Sequence, residues 1–128
     1  MIVVDANVLV HLHLPGKDRA VAEALLESDP DWVAPVLWRS EFRNALATHL
    51  RRAGLTLDQA LRVQGEAEDL MSGGEYDVDS DAVLRLAEGS GCSAYDCEYI
   101  ALAKKLGVRL VTRDEKVLCA FPDVATAL

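Results

Sequence analysis

Four acidic residues, Asp5, Glu41, Asp96 and Asp114, stand where acid is hardest to explain by folding alone. Asp5 directly follows the apolar run Ile2-Val3-Val4, and Asp114 closely follows the run from Val108 to Thr112. Both runs read as short buried strands. Both carboxylates therefore fall at strand carboxyl ends, the edge where ligands bind in open α/β sheets. Glu41 and Asp96 each interrupt the apolar stripe of a predicted helix. Converging carboxylates repel one another unless a cation or protons lie between them. The cation that suits an all-oxygen donor set is hard: Mg²⁺ or Mn²⁺.

Each acid also has an ordinary reading. Glu41 lies inside the stripe of Leu37, Trp38, Phe42, Ala45 and Leu46. A buried bare charge is very costly, so it needs a partner, either a ligand or a nearby arginine. Ser93-Ala94-Tyr95-Asp96 resembles a capping box, which would make Asp96 structural. Yet Asp96 stands one turn before Ile100, on the side expected to bury Tyr95, Tyr99, Leu102 and Leu106. A helix N-terminus also favours an ionised carboxylate. Asp5 and Asp114 can each be a turn residue or cap. Two of them at the ends of central strands favour a site. Asn7 and Thr112, two residues from each, can orient ligands from behind. Asp81 reads as a helix-dipole partner, and Glu115 as a substitute for Asp114.

The elements that must position these acids alternate. Strands are predicted at Ile2 to Val4, Trp32 to Ala34, Tyr76 to Val78 and Val108 to Thr112, with a last strand beginning at Val124. Helical spacing covers Lys17 to Leu26. A long helix opens at Pro35, a favourable first helical residue, runs to about Ala53 and stops at Gly54. The next runs from Thr56 to about Met71, where Gly73-Gly74 breaks it. Asp79 caps a helix through about Ala87, Ser93 one through Leu106, and a short one covers Glu115 to Ala120. Alternation of this kind implies a parallel sheet covered on both faces. The chain of 128 residues reads as a single domain, 1–128, without repeat or linker.

A net charge of −8 argues against a nucleic-acid binder or an anionic membrane surface. Bound metal would reverse that field locally. Arg39, Arg43, Arg51 and Arg52 form either a phosphate-facing patch or a solvated helix face. Cys92, Cys97 and Cys119 are odd in number and lack a CxxC pair, so they read as reduced and half-buried. No apolar stretch approaches the ~20 residues of a membrane span, and Met1 to Asp5 lacks the pattern of a signal peptide. The expected address is the cytoplasm.

The segments Val3-Val4-Asp5-Ala6-Asn7, Glu41-Phe42-Arg43-Asn44-Ala45, Tyr95-Asp96 with Tyr99-Ile100-Ala101-Leu102-Ala103, and Leu110-Val111-Thr112-Arg113-Asp114 resemble, in order and spacing, the PIN-domain family. Within it they are most similar to VapC-type toxins of toxin–antitoxin pairs. The resemblance spans essentially the whole chain and keeps all four acids. It implies a three-layer α/β/α sandwich around a parallel sheet of four or five strands, and metal-dependent cleavage of RNA. On that chemistry, Asp5 and Asp96 are the primary metal ligands and Asp114 completes the set directly or through water. Glu41 binds a second ion or orients the attacking water, while Asn7 and Thr112 support from behind. His11 and His13 read as packing or solvent-facing. The RNA is expected to be single-stranded at the cut.

Two other folds with an aspartate after the first strand fit less well. A haloacid-dehalogenase-type phosphatase needs a second aspartate where Asn7 stands, and a receiver domain needs a late lysine where Thr112-Arg113-Asp114 stands. The alternative from another class is a non-catalytic PIN-like module that binds RNA or protein. Leu37, Trp38 and Phe42, with Leu55, Leu57, Leu61 and Leu70, load two successive helices with apolar bulk. Either core packing or an interface accounts for it. The toxin resemblance implies a homodimer, inhibited by an antitoxin whose segment brings an arginine or lysine into the acidic groove.

Overall fold

The β-branched runs at the two ends of the chain pair with each other. In parallel register, β1 (Ile2–Val4) sets Val3 against Leu110 and Val4 against Val111 of β4 (Leu110–Thr112). A computed structural model describes residues 1–52 and 54–128. Around this central pair, β2 (Trp32–Pro35), β3 (Glu75–Tyr76) and β5 (Ala125–Ala127) complete a parallel sheet of order β3-β2-β1-β4-β5. Every residue of β2 and β4 is buried, as expected of strands covered on both faces. The helices are α1 (Ala6–His13), α2 (Arg19–Ser28), α3 (Trp38–Arg52), α4 (Leu57–Leu70), α5 (Ser80–Ser90), α6 (Ala94–Leu106) and α7 (Glu115–Ala120). The result is a three-layer α/β/α sandwich. Its core joins Val3, Val4, Leu110 and Val111 to Leu9, Trp38, Phe42, Ile100 and Leu102. No helix among the described residues is long and apolar enough to cross a membrane.

Several boundaries differ from expectation for local reasons. Helix α1 was not predicted, because Val8-Leu9-Val10 lacks a clear helical period. The helix follows β1 without a loop, capped by Asp5 itself. Pro35 does not open α3. It ends β2 opposite Tyr76, and the Val36 N–H still donates to the Tyr76 carbonyl at 3.1 Å. The fixed φ of proline suits a strand end as well as a helix start. The expected end of that helix at Ala53 lies outside the described residues. β3 starts one residue early and ends at Tyr76 rather than Val78, and α5 runs on to Ser90, ended by Gly91 at φ 72. β4 begins at Leu110 rather than Val108, and β5 at Ala125.

The apolar bulk divides. Trp38 and Phe42 are fully buried, so that part of α3 is core, whereas Leu57 and Leu61 on α4 are each 62% exposed. Tyr95, expected inside, is 63% exposed. Cys92 and Cys97 are buried and free, and Cys119 is exposed. Arg39 leaves the arginine group entirely: it donates to Glu75 at 2.6 and 2.9 Å and to Glu68, tying α3 to β3 and α4.

Two glycines test this packing. A Cβ at Gly74 would lie 2.5 Å from the Trp32 carbonyl oxygen, a backbone atom that cannot swing aside. Gly74→Ala is expected to cost about 1–3 kcal/mol in urea melts. Gly65, inside α4 with open space around it, is expected to gain about 0.5–1 kcal/mol as alanine. Equal effects at the two positions would contradict the β2–β3 packing.

Candidate active site

Helices that follow parallel strands begin at the carboxyl edge of the sheet. Asp5, Glu41 and Asp114 stand at such beginnings, and Asp96 opens α6, which follows α5 and runs back into β4, close enough for Asp5 to feel its charge. Asp5 caps α1, Glu41 lies in the first turn of α3, Asp96 in the first turn of α6, and Asp114 caps α7. The positive end of each helix favours the carboxylate it carries.

Thr112 ties two of them together. Its buried hydroxyl donates to Asp5 Oδ2 at 2.6 Å and accepts from the Asp114 N–H at 3.0 Å. The Asn7 backbone N–H reaches Asp5 Oδ1 at 3.3 Å. Support from Asn7 thus comes through its main chain. Asp114 Oδ1 accepts from the N–H groups of Lys116 and Val117, at 2.9 and 3.3 Å. It is therefore both the cap and a charge at the site. Glu115 is exposed and Asp81 pairs with Arg85 on α5, so neither enters the group.

Among the described residues, Glu41 pairs with neither arginine nor lysine. Its Oε1 accepts a 2.6 Å hydrogen bond from the Tyr99 hydroxyl. For Asp96, Ser93 Oγ accepts from the Asp96 N–H at 3.1 Å, so the helix cap is real. The reciprocal bond from the Asp96 carboxylate is not formed among the described residues. The cap uses the backbone of Asp96 and leaves its side chain free for the site.

The charges act on one another. Burial pushes the Asp5 carboxyl above its usual range, and the Asp96 and Asp114 charges add to the rise against the opposing bonds from Thr112 and Asn7. Glu41 is raised likewise, by burial first and then by Asp5, Asp96 and Glu98, with Tyr99 opposing. Among the described residues none of the four pairs with a basic side chain. Nor do any three acid, histidine or cysteine side chains there close into a ready coordination cluster. Like charges at ~4 Å repel by about 4 kcal/mol near a protein surface, which opposes closer approach. The donor chemistry itself, carboxylate oxygen without nitrogen or sulfur, fits a hard divalent cation.

A recess of about 560 Å³ opens above Asp5 and Glu41, with Ser40, Asn44 and Tyr95 in its wall. Asp96 and Asp114 stand outside that wall yet are felt by Asp5. Leu37 separates the recess from a neighbouring hollow of about 530 Å³ that includes Tyr76, Val83 and Glu98. Sequence reasoning missed Ser40, Asn44 and the Tyr99–Glu41 bond. Ser40 and Asn44 flank Glu41 on α3, so helical spacing from Glu41 was the available signal. Of the arginines, Arg43 reaches the rim, donating to Ser40 Oγ at 3.1 Å.

The PIN domain model matches residues 2–125. Ribonuclease VapC3 of Pyrobaculum aerophilum is 30% identical over 129 residues, covering 98% of each chain. Among solved structures, PAE2754 from the same organism superposes with a TM-score of 0.76 at 25% identity, over 98% of this chain and 89% of that one. A toxin-antitoxin complex from Klebsiella pneumoniae contains a chain with a TM-score of 0.74 at 16% identity, over 98% and 96%. At that identity the likeness is one of fold.

The raised acids set a pH dependence. A folded-state pKa above the ordinary one means that the folded protein holds the proton more tightly. The stability this contributes is complete below the ordinary values, 3.8 for Asp5 and 4.5 for Glu41. It is lost as pH rises through the raised folded values. Without divalent metal, the wild-type protein should therefore lose stability relative to Asp5→Asn as pH climbs. Urea midpoints from about pH 3 to about pH 8 measure this. Parallel curves would show that Asp5 is not strained by its surroundings.

Proposed function

The chain belongs to the PIN-domain family, in its VapC-type group, and on that footing we propose that it is a metal-dependent endoribonuclease, the toxin of a toxin–antitoxin pair. The observation that carries this reading is the gathering of Asp5, Glu41, Asp96 and Asp114 at one sheet edge, with no basic side chain paired to any of them among the described residues. Such an arrangement costs stability and is not needed for folding. The relative Ribonuclease VapC3 supports a nuclease acting on RNA.

Asp5, Asp96 and Asp114 would hold Mg²⁺, for which Mn²⁺ can substitute. That ion would lower the pKa of a water and offset charge on the leaving oxygen. The protein's own part is orientation. Thr112 fixes Asp5 and the start of α7 together, so that Asp5 and Asp114 keep their spacing. Glu41 turns one carboxylate oxygen to the attacking water. Ser40, Asn44 and Arg43 lie one turn or less along α3, within reach of the phosphodiester. A recessed acidic site admits one unpaired strand more easily than a duplex. Cleavage in the cytoplasm would inhibit growth or translation.

Purified protein is expected to cut single-stranded RNA with Mn²⁺ or Mg²⁺ and to stop with chelator. Asp5→Asn should abolish cutting while keeping the fold. Wild-type rates from that variant would reassign the site, and a protein that binds RNA without cutting it under any metal would favour the non-catalytic module. Asp96→Asn keeps the Ser93 cap, so without metal it should be at least as stable as wild type. It should then gain less from Mn²⁺, because a ligand stabilises by RT ln(1 + [L]/Kd). A metal-independent loss on the order of 1 kcal/mol would make Asp96 a capping residue only.

The partner is an antitoxin, as in the Klebsiella complex of the same fold. A homodimer would use the exposed Leu57 and Leu61 rather than Trp38 and Phe42, which are core. Light scattering at tens of micromolar should give twice the chain mass, and a monomer would remove the dimer. Inhibition by antitoxin should require an arginine or lysine in the segment crossing the recess. Inhibition surviving loss of every basic residue there would remove that mechanism.

A further inference from the structure

The chemistry above leaves Tyr99 without a task. It is 3% exposed, and its hydroxyl donates to Glu41 Oε1 at 2.6 Å. The main chain of Ala6, at the start of α1, acts weakly on the phenol, in the direction opposite to burial and the Glu41 charge. Three elements meet there: Tyr99 from α6, Glu41 from α3, and the first residue of α1, adjacent to Asp5. A short bond from hydroxyl to carboxylate is among the stronger and more directional hydrogen bonds in proteins.

We propose that Tyr99 is a positioning residue, holding Glu41 Oε1 against the Asp5–Ala6 corner so that Oε2 alone is free to act on the attacking water. The inference deepens the ribonuclease reading and rests on it. Burial, and next the Glu41 charge, push the phenol far above its usual range, so its proton stays in place as a donor. Asp5 and Glu41 sit on different elements and repel each other, so the bond from Tyr99 is what tethers Glu41 beside Asp5.

A purely structural role would be served better by other partners. A buried phenol is satisfied by a backbone carbonyl or by glutamine, without drawing a third charge beside Asp5 and Asp96. Glu41→Gln keeps an oxygen for Tyr99 and removes that charge. It is expected to melt in urea no earlier than wild type without metal.

The test is a double-mutant cycle on a fluorophore-labelled single-stranded oligoribonucleotide with Mn²⁺, read under multiple and single turnover. Tyr99→Phe is expected to lower kcat on the order of 10-fold with KM unchanged. In the Glu41→Gln background the same change should have no further effect, because Tyr99 acts through Glu41. If Tyr99→Phe melts below the assay temperature, all four proteins are assayed at a lower temperature at which it stays folded, so that the loss in the Glu41 background is still read. Full kcat in Tyr99→Phe, with Glu41→Gln impaired, overturns the inference alone. An equal loss in both backgrounds also overturns it, as a packing effect. Wild-type kcat in Glu41→Gln would instead overturn the role of Glu41 and this inference with it.

Discussion

Four like charges at one edge of a sheet need something to hold them there. The parallel sheet supplies it. Because α1, α3 and α7 each start where a parallel strand ends, they direct their N-termini to the same edge, and α6, which follows α5 and leads back into β4, starts there too. Each brings one of the acids in its cap or first turn. A helix N-terminus stabilises a carboxylate by about 0.3–1 kcal/mol. That offsets part of the mutual repulsion but not the burial of Asp5 and Glu41, whose carboxyls stay above their ordinary range. On the proposed function, this remaining repulsion is what a bound cation would relieve.

Thr112 converts this general arrangement into a fixed one. The β1–β4 register puts Val111 opposite Val4, so the residues that follow each strand diverge from a common level. One hydroxyl then spans the gap, donating to Asp5 and accepting from the Asp114 main chain. A serine could make the same two bonds. In threonine the methyl restricts χ1, which helps hold the hydroxyl between its partners. The same logic separates the acids into two kinds. Asp5 and Glu41 form the floor of the recess, each anchored through one oxygen by a hydroxyl. Asp96 and Asp114 stand at its margin, with backbone caps behind them.

Much of this was legible in the chain. Val3-Val4 and Leu110-Val111 announced central strands because fully covered strands are apolar throughout, and the acid after each run could not be core. Glu41 and Asp96 stood out as breaks in helical stripes. What was hidden depends on pairing across distance. Pro35 satisfies a strand end and a helix start alike, and only the bond from Val36 to Tyr76 decides between them. Helix α1 was hidden because Val8-Leu9-Val10 lacks a helical period and its cap, Asp5, reads equally as the residue after a strand. Tyr99 looked like core, and it is buried. Its hydroxyl could not be assigned to Glu41 from 58 positions away. Tyr95, on the same helix, was read inward although it faces out. At the start of a helix the buried arc is set by the neighbouring layer rather than by the stripe further along.

The charge balance bears on how an anionic strand would approach on the proposed function. The chain carries −8, and Arg39 is consumed by Glu68 and Glu75. Long-range steering by a basic surface therefore contributes little. Attraction must come from short-range contacts around the recess and from whatever cation the carboxylates hold. The exposed ring of Tyr95 stands in the recess wall beside Leu37, and Arg43 lies on the rim. Stacking on an exposed aromatic ring contributes about 1–3 kcal/mol per base and is indifferent to the strand's charge. On the proposed function, a site of this kind would bind RNA through a few bases at the cut. Discrimination among RNAs then depends on which strands present unpaired bases at that point rather than on overall affinity for nucleic acid.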